Sequence, residues 1–195
     1  MRIVSGLAGG VRLVAPRGMD VRPTSDRVKE SMFGSLGDIQ GWTVVDLFAG
    51  TGALGLEALS RGAARVLLFD TNPRSLACVK DNLAAVCRAV PDLSGTAEAV
   101  RADAASAPRR LPELAGRVQL LLADPPYHPA EHEYGAEKLA RDAAMARWAE
   151  GALLVLEHAT DTLLAWPAGS PWKLLRRRAF GSRTLSFARA LPPQP

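Results

Sequence analysis

The 195-residue chain reads as an α/β protein. The expected fold is a doubly wound, mostly parallel seven-stranded sheet with a small amino-terminal hairpin-plus-helix extension. Three observations carry that reading. From residue 42 onward, short and nearly unbroken apolar runs alternate with segments of helical spacing, as expected for strands covered on both faces. The chain is 48% hydrophobic and 23% charged, which suffices to bury a core. Its most distinctive motifs directly follow apolar runs, at the strand ends where such sheets collect ligands.

The elements follow in order. Ile3-Val4 and Val11–Val14 flank a glycine-bearing stretch and read as a hairpin. Pro23-Thr24-Ser25-Asp26 opens a helix whose apolar positions Val28, Met32, Phe33 and Leu36 keep helical spacing until Gly37. Strands are expected at 43–48, 65–69, 97–102, 118–123 and 152–157. Helices are expected at 53–60, 73–90 and 137–149, with a short one within 104–114. Residues 173–180 and 183–191, joined at Gly181-Ser182, predict an antiparallel hairpin that closes the sheet. The expected division is an extension over 1–40 and an α/β domain over 41–195.

Composition excludes several classes. No apolar run approaches the ~18–20 residues of a membrane helix. The first six residues lack the apolar stretch of a secretory signal, so a cytoplasmic location is expected. The two cysteines, Cys78 and Cys87, fall in one helical segment too far apart to bridge, and read as packing residues. The net charge of +4 is unevenly placed. Residues 1–40 carry a net +2, residues 41–172 a net −4 and residues 173–195 a net +6. An acidic centre with basic ends suits a catalytic core with margins that bind a polyanion.

The first expected strand ends in Asp46-Leu47-Phe48-Ala49-Gly50-Thr51-Gly52-Ala53-Leu54-Gly55. Its glycines match a dinucleotide fingerprint, and Asp70 lies twenty residues beyond Gly50. A phosphate-cradling P-loop is excluded because no Lys-Ser/Thr pair follows. Asp46 beside the loop disfavours a pyrophosphate and suits a ligand carrying an ammonium or sulfonium.

The strand expected at 118–123 runs into Asp124-Pro125-Pro126-Tyr127. Two prolines fix the backbone and remove two N–H donors. What remains is a rigid corner of acceptors, the Asp124 carboxylate and the Pro125 carbonyl. Such a corner can hold both protons of an exocyclic base amine and turn its lone pair toward an electrophile. Tyr127 offers a face on which a base can stack, worth roughly 1–3 kcal/mol. The nearby His128-x-x-Glu-His132 spells an inverted zinc-protease motif, but Pro129 and the lack of downstream ligands argue against it, and no metal is expected.

The Asp46–Gly52 run resembles the first motif of class I S-adenosylmethionine-dependent methyltransferases, which have a Rossmann-like fold, and Asp124–Tyr127 resembles the fourth motif of amino-methyltransferases. That resemblance implies a cofactor site of Asp46, Phe48, Gly50, Thr51 and Gly52, with Asp70 for the ribose hydroxyls and Asp103 for the adenine amine. The ordinary alternative for both outlying acids is helix capping. It implies catalytic roles for Asp124, Pro125, Pro126 and Tyr127.

The amino-terminal strings Arg2-Ile3-Val4-Ser5-Gly6, Gly10-Val11-Arg12-Leu13 and Arg22-Pro23-Thr24-Ser25-Asp26-Arg27-Val28-Lys29-Glu30-Ser31-Met32-Phe33 narrow it further. Together with residues 52–62, they resemble the bacterial 16S ribosomal RNA guanine-N(2) methyltransferases. The resemblance covers nearly the whole chain. It implies methyl transfer from S-adenosylmethionine to the N(2) amine of one guanine of 16S rRNA, in an assembled or assembling small subunit. The fold leaves a monomer as the default expectation. Phosphate contacts are expected from Arg12, Arg22, Thr24, Arg27 and Lys29, and from Arg176, Arg177 and Arg178. Competing readings are a DNA adenine or cytosine amino-methyltransferase, a small-molecule or protein amine methyltransferase, a non-catalytic RNA-binding assembly factor and a dehydrogenase.

Overall fold

A computed structural model describes residues 1–15, 24–162, 164, 166 and 169–192. Its seven strands form one sheet in the order β3-β2-β1-β4-β5-β7-β6. They are β1 (Thr43–Asp46), β2 (Arg65–Asp70), β3 (Thr96–Arg101), β4 (Leu120–Ala123), β5 (Leu153–Ala159), β6 (Trp172–Phe180) and β7 (Arg183–Ala190). The expected fold class is therefore correct, including the closing antiparallel hairpin. The chain divides into two compact units, Met1–Ala102 and Asp103–Pro195.

In the first unit, β1, β2 and β3 run parallel. Val44, Val45, Val66, Leu67, Leu68 and Phe69 are fully buried, which explains why these strands lack apolar–polar alternation. Its described residues include the helices α1 (Asp26–Leu36), α2 (Ala53–Ser60) and α3 (Pro73–Ala89). Ser25 caps α1 by accepting from the Val28 amide, and Asn72 caps α3 with Pro73 at its first position. Every residue of α2 is buried, Glu57 included.

The amino-terminal arm meets α2 in a polar clasp. Glu57 accepts the Val4 and Ser5 amides at 2.7 and 3.0 Å, and pairs with Arg61 at 2.9 Å. Ser60 Oγ accepts the Ala8 amide and donates to the Ser5 carbonyl. Gly6 sits so close to Ser60 that a Cβ would lie 2.0 Å from its carbonyl oxygen, so only glycine fits. The hairpin expected here is reduced to a single bridge between Arg2 and Arg12, because a tight series of turns replaces the ladder.

In the second unit β4 and β5 are parallel, while β7 pairs antiparallel with both β5 and β6. The single helix expected over 137–149 is two, α5 (Ala136–Arg141) and α6 (Ala143–Trp148). Asp142 interrupts it by leaving the helical conformation and capping α6 through the Met145 amide. Residues 104–114 likewise split into two 3-10 turns around α4 (Ala107–Arg110). No helix among the described residues is long and apolar enough to cross a membrane.

Candidate active site

The first unit supplies a glycine-loop site. The loop turns from β1 into α2, and its glycines have separate tasks. Gly50 has a φ of +53°, and a Cβ on it would meet nothing within 4 Å, so the backbone there faces open space. Gly52 also has positive φ, and a Cβ on Gly55 would press to 2.8 Å against Leu68, so Gly55 lets α2 lie close on the sheet.

Two acids hold the loop. Asp70, ending β2, accepts the Gly50 amide at 2.9 Å and the Asn72 amide at 2.7 Å. Asp46, ending β1, accepts the Gly55 amide at 3.0 Å through one oxygen. Its other oxygen is buried with no hydrogen-bond partner among the described residues. Burial, only partly offset by the Gly55 and Phe48 amides, pushes the Asp46 carboxyl up to about 7.

A carboxyl whose pKa rises on folding adds stability below its unfolded value near 3.8, and that contribution is lost as pH climbs through 7. Asp46→Asn keeps an acceptor for the Gly55 amide and removes the titration. We expect it to flatten the decline in thermal midpoint between pH 5 and 8, read by calorimetry of the ligand-free protein.

Asn82, which sequence reasoning missed, ties this loop to the arm. Its amide group donates to the Thr51 carbonyl at 2.8 Å and the Val14 carbonyl at 3.0 Å, and its oxygen accepts the Val14 amide at 2.8 Å. The side chain is buried with its donors and acceptor in use. Thr51 Oγ1 also donates to Met1 Sδ. Only a polar residue on the inner face of α3 hinted at this role.

These features fit the cofactor that the motif implies. An open backbone cradle at Gly50, an unpartnered buried carboxylate oxygen on Asp46 and the acid of Asp70 at a strand end suit a ligand with a cationic amino-acid tail and a ribose. Asp103 lies in the second unit, is exposed, and caps a 3-10 turn through the Ala105 amide. Phe48 is half-buried and supplies a backbone bond to Asp46.

The second unit supplies the acceptor corner. Asp124 directly follows the fully buried β4 and is half-buried. Pro125 is buried and Pro126 exposed. Tyr127 donates its hydroxyl to Glu157 Oε1 at 2.8 Å. Burial and the adjacent Glu157 carboxylate push the phenol well above its usual range. A cavity of about 720 Å³ opens on Pro125, Pro126, Tyr127, His128, His158 and Thr162. His158 is engaged at both ring nitrogens, by the Ala159 carbonyl and Ser186 Oγ. No cluster of metal-ligating side chains occurs among the described residues.

The basic residues divide. Arg12, Arg27, Arg176, Arg177 and Arg178 are exposed. Arg22 lies outside the described residues. Lys29 requires correction: it is fully buried, bonded to the Arg2 carbonyl and placed 3.7 Å from both Asp26 and Glu57. It cannot present its charge to a phosphate, because it neutralises the buried clasp. Thr24 is buried as well. Cys78 packs as expected, donating to the Val14 carbonyl, whereas Cys87 is exposed and is not a packing residue.

Comparison with known proteins decides the family. Residues 1–189 match the model of the family described as conserved hypothetical protein 95. The chain belongs to this family. Among curated relatives, YlbH of Bacillus subtilis, provisionally named an rRNA methyltransferase, is 38% identical over 128 residues, 65% of this chain and 67% of its own. Ribosomal RNA small subunit methyltransferase D of Escherichia coli K12 is 46% identical over 71 residues, 36% of each chain. The matched stretches thus span from about a third to two thirds of these relatives. The solved structure of yhhF from Escherichia coli, provisionally titled a methyltransferase, superposes with a TM-score of 0.73 at 28% identity over 99% of both chains. The family and the class I methyltransferase fold anticipated from the motifs are therefore correct.

Proposed function

We propose that this chain transfers a methyl group from S-adenosylmethionine to the exocyclic N(2) amine of a guanine in 16S rRNA. The observation that carries the reading is the rigid Asp124–Tyr127 corner, of which Pro125, Pro126 and Tyr127 line a 720 Å³ cavity, in a chain whose other unit bears the glycine loop. Family membership and the names of the relatives support rRNA as the acceptor. A structural neighbour titled as a complex with S-adenosylhomocysteine supports the cofactor.

The chemistry follows from the residues. Asp46, Gly50, Thr51, Gly52 and Asp70 would hold the cofactor, which when bound supplies an electrophilic sulfonium methyl. Asp124 and the Pro125 carbonyl accept the two amine protons, so the nitrogen lone pair leaves the ring plane. Tyr127 stacks on the base and fixes its height. The methylated nitrogen is acidic and passes its extra proton to Asp124 or water. A target base in folded RNA must be unpaired or flipped to enter the cavity.

The Asn82 bridge leads to a specific expectation. Asn82→Asp replaces two donors by acceptors facing the Thr51 and Val14 carbonyls. S-adenosylhomocysteine affinity, read by calorimetry, falls about tenfold. The exposed arginines of β6 give another. Changing Arg176, Arg177 and Arg178 to glutamine weakens RNA binding and lowers the slope of log affinity against log salt by roughly 2–3. An unchanged slope would return them to a solvated strand edge.

The acceptor is tested by offering labelled S-adenosylmethionine to small subunits lacking the modification, naked 16S rRNA and duplex DNA in parallel. Incorporation into rRNA in either form is expected. Incorporation only into DNA would retain the acceptor corner and discard rRNA as the substrate.

A further inference from the structure

We propose that Glu157 and Arg183 are positioning residues that lock the ring of Tyr127, so that the stacked base is held at the height that attack requires. The inference rests on the amino-methyl-transfer reading above. Glu157 lies on β5 immediately after Leu156, the partner in register of Ala123 at the end of β4. It therefore sits beside the strand end from which the Asp124 corner departs. Arg183 opens β7, opposite Ala159. Glu157 and Arg183 are thus diagonal neighbours across an antiparallel pair, on one face of the sheet. Arg183 Nη1 donates to Glu157 Oε1 at 3.1 Å, and the Tyr127 hydroxyl donates to the same oxygen at 2.8 Å.

The arrangement is poor for stability alone. Glu157 is 1% exposed, and both donors crowd one oxygen while Oε2 is buried with no hydrogen-bond partner among the described residues. A buried carboxylate with one bare oxygen is costly, and an apolar residue would fill the strand more cheaply. What the carboxylate provides is a strong, directional acceptor for a phenol. A half-buried tyrosine at the mouth of a cavity has two side-chain torsions to settle. The hydroxyl lies on the axis of the second torsion, so tethering it to a strand of the sheet fixes the first torsion and with it the place of the ring, and Arg183 bonds the same carboxylate oxygen.

Stacking and positioning separate experimentally. Tyr127→Phe keeps the aromatic face and loses only the tether. Its KM for small subunits should stay within about twofold of wild type while kcat falls about tenfold, the scale of one hydrogen bond to a charged acceptor. Glu157→Leu, which leaves the Tyr127 hydroxyl no acceptor on β5, should lower kcat similarly. The double variant should be no slower than either single, because both remove the same bond. Affinity for S-adenosylhomocysteine should not change. Additive losses, a rise confined to KM, or full activity in Tyr127→Phe would overturn the proposal.

A second readout needs no acceptor and covers the case of a poorly folding Glu157 variant. The chain has two tyrosines, Tyr127 and Tyr134. With ring-labelled tyrosine, the Tyr127 resonances should identify themselves by vanishing in Tyr127→Phe. In wild type the Cζ shift should show a hydroxyl bonded to a carboxylate. In Arg183→Gln, with the Tyr134 signals unmoved, the Tyr127 resonances should shift. A Cζ shift of a water-solvated phenol in wild type contradicts the tether. A bonded hydroxyl in a protein that methylates none of the nucleic acids offered would instead reject the acceptor assignment and leave the tether standing.

Discussion

Asp124→Ala is expected to reduce methyl transfer by on the order of a thousandfold or to background, while S-adenosylhomocysteine binds within about twofold of wild type. An arylamine lone pair is conjugated into the base and is a poor nucleophile until both its protons are held. On the proposed reading Asp124 would supply one of the two acceptors, and the Pro125 carbonyl, placed by two locked φ angles, the other. Removing the carboxylate frees one proton and undoes the in-line geometry on which proximity depends. Asp124→Asn retains one acceptor oxygen and should fall between wild type and alanine. Near-native turnover in Asp124→Ala, measured at saturating acceptor, would show that the corner does not activate the amine.

The second large effect concerns stability. Glu57→Ala leaves Lys29, which is fully buried, without its buried partner, and strips the Val4 and Ser5 amides of their acceptor. Breaking one half of such a pair costs about 3–5 kcal/mol. For a chain with an unfolding free energy on the order of 5–15 kcal/mol, that is a large fraction. Urea titration should show a midpoint shift of that size. Coupling Glu57→Ala to Lys29→Met should recover part of the loss, since no buried charge is then left alone. A single variant as stable as wild type would mean that the clasp does not hold the arm.

The contrast between these residues shows what sequence can convey. The glycine loop and the Asp-Pro-Pro-Tyr corner are legible because glycine and proline act through local backbone constraints that need no distant partner. The buried strands are legible because unbroken apolar runs admit few other fates in an alternating pattern. Lys29 was misread as a phosphate contact because its neighbours are basic and polar, while the acid that buries it, Glu57, lies 28 residues away on a helix that is otherwise apolar. Asn82, Glu157 and Arg183 carry no motif, since their roles arise when α3 meets the arm and when β7 inserts between β5 and β6. Asp142 broke a helix whose apolar spacing runs through it, because a capping carboxylate competed with continued helix.

The most direct test is the identity of the methylated nucleoside. Small subunits lacking the modification are incubated with the protein and labelled S-adenosylmethionine, the rRNA is digested, and the labelled nucleoside is separated. The acceptor corner acting on guanine predicts label in N(2)-methylguanosine, and none there with Asp124→Ala. Label in a ring-nitrogen, ribose or carbon-methylated nucleoside would contradict it, because none of those acceptors presents the two amine protons that the proposed corner would hold.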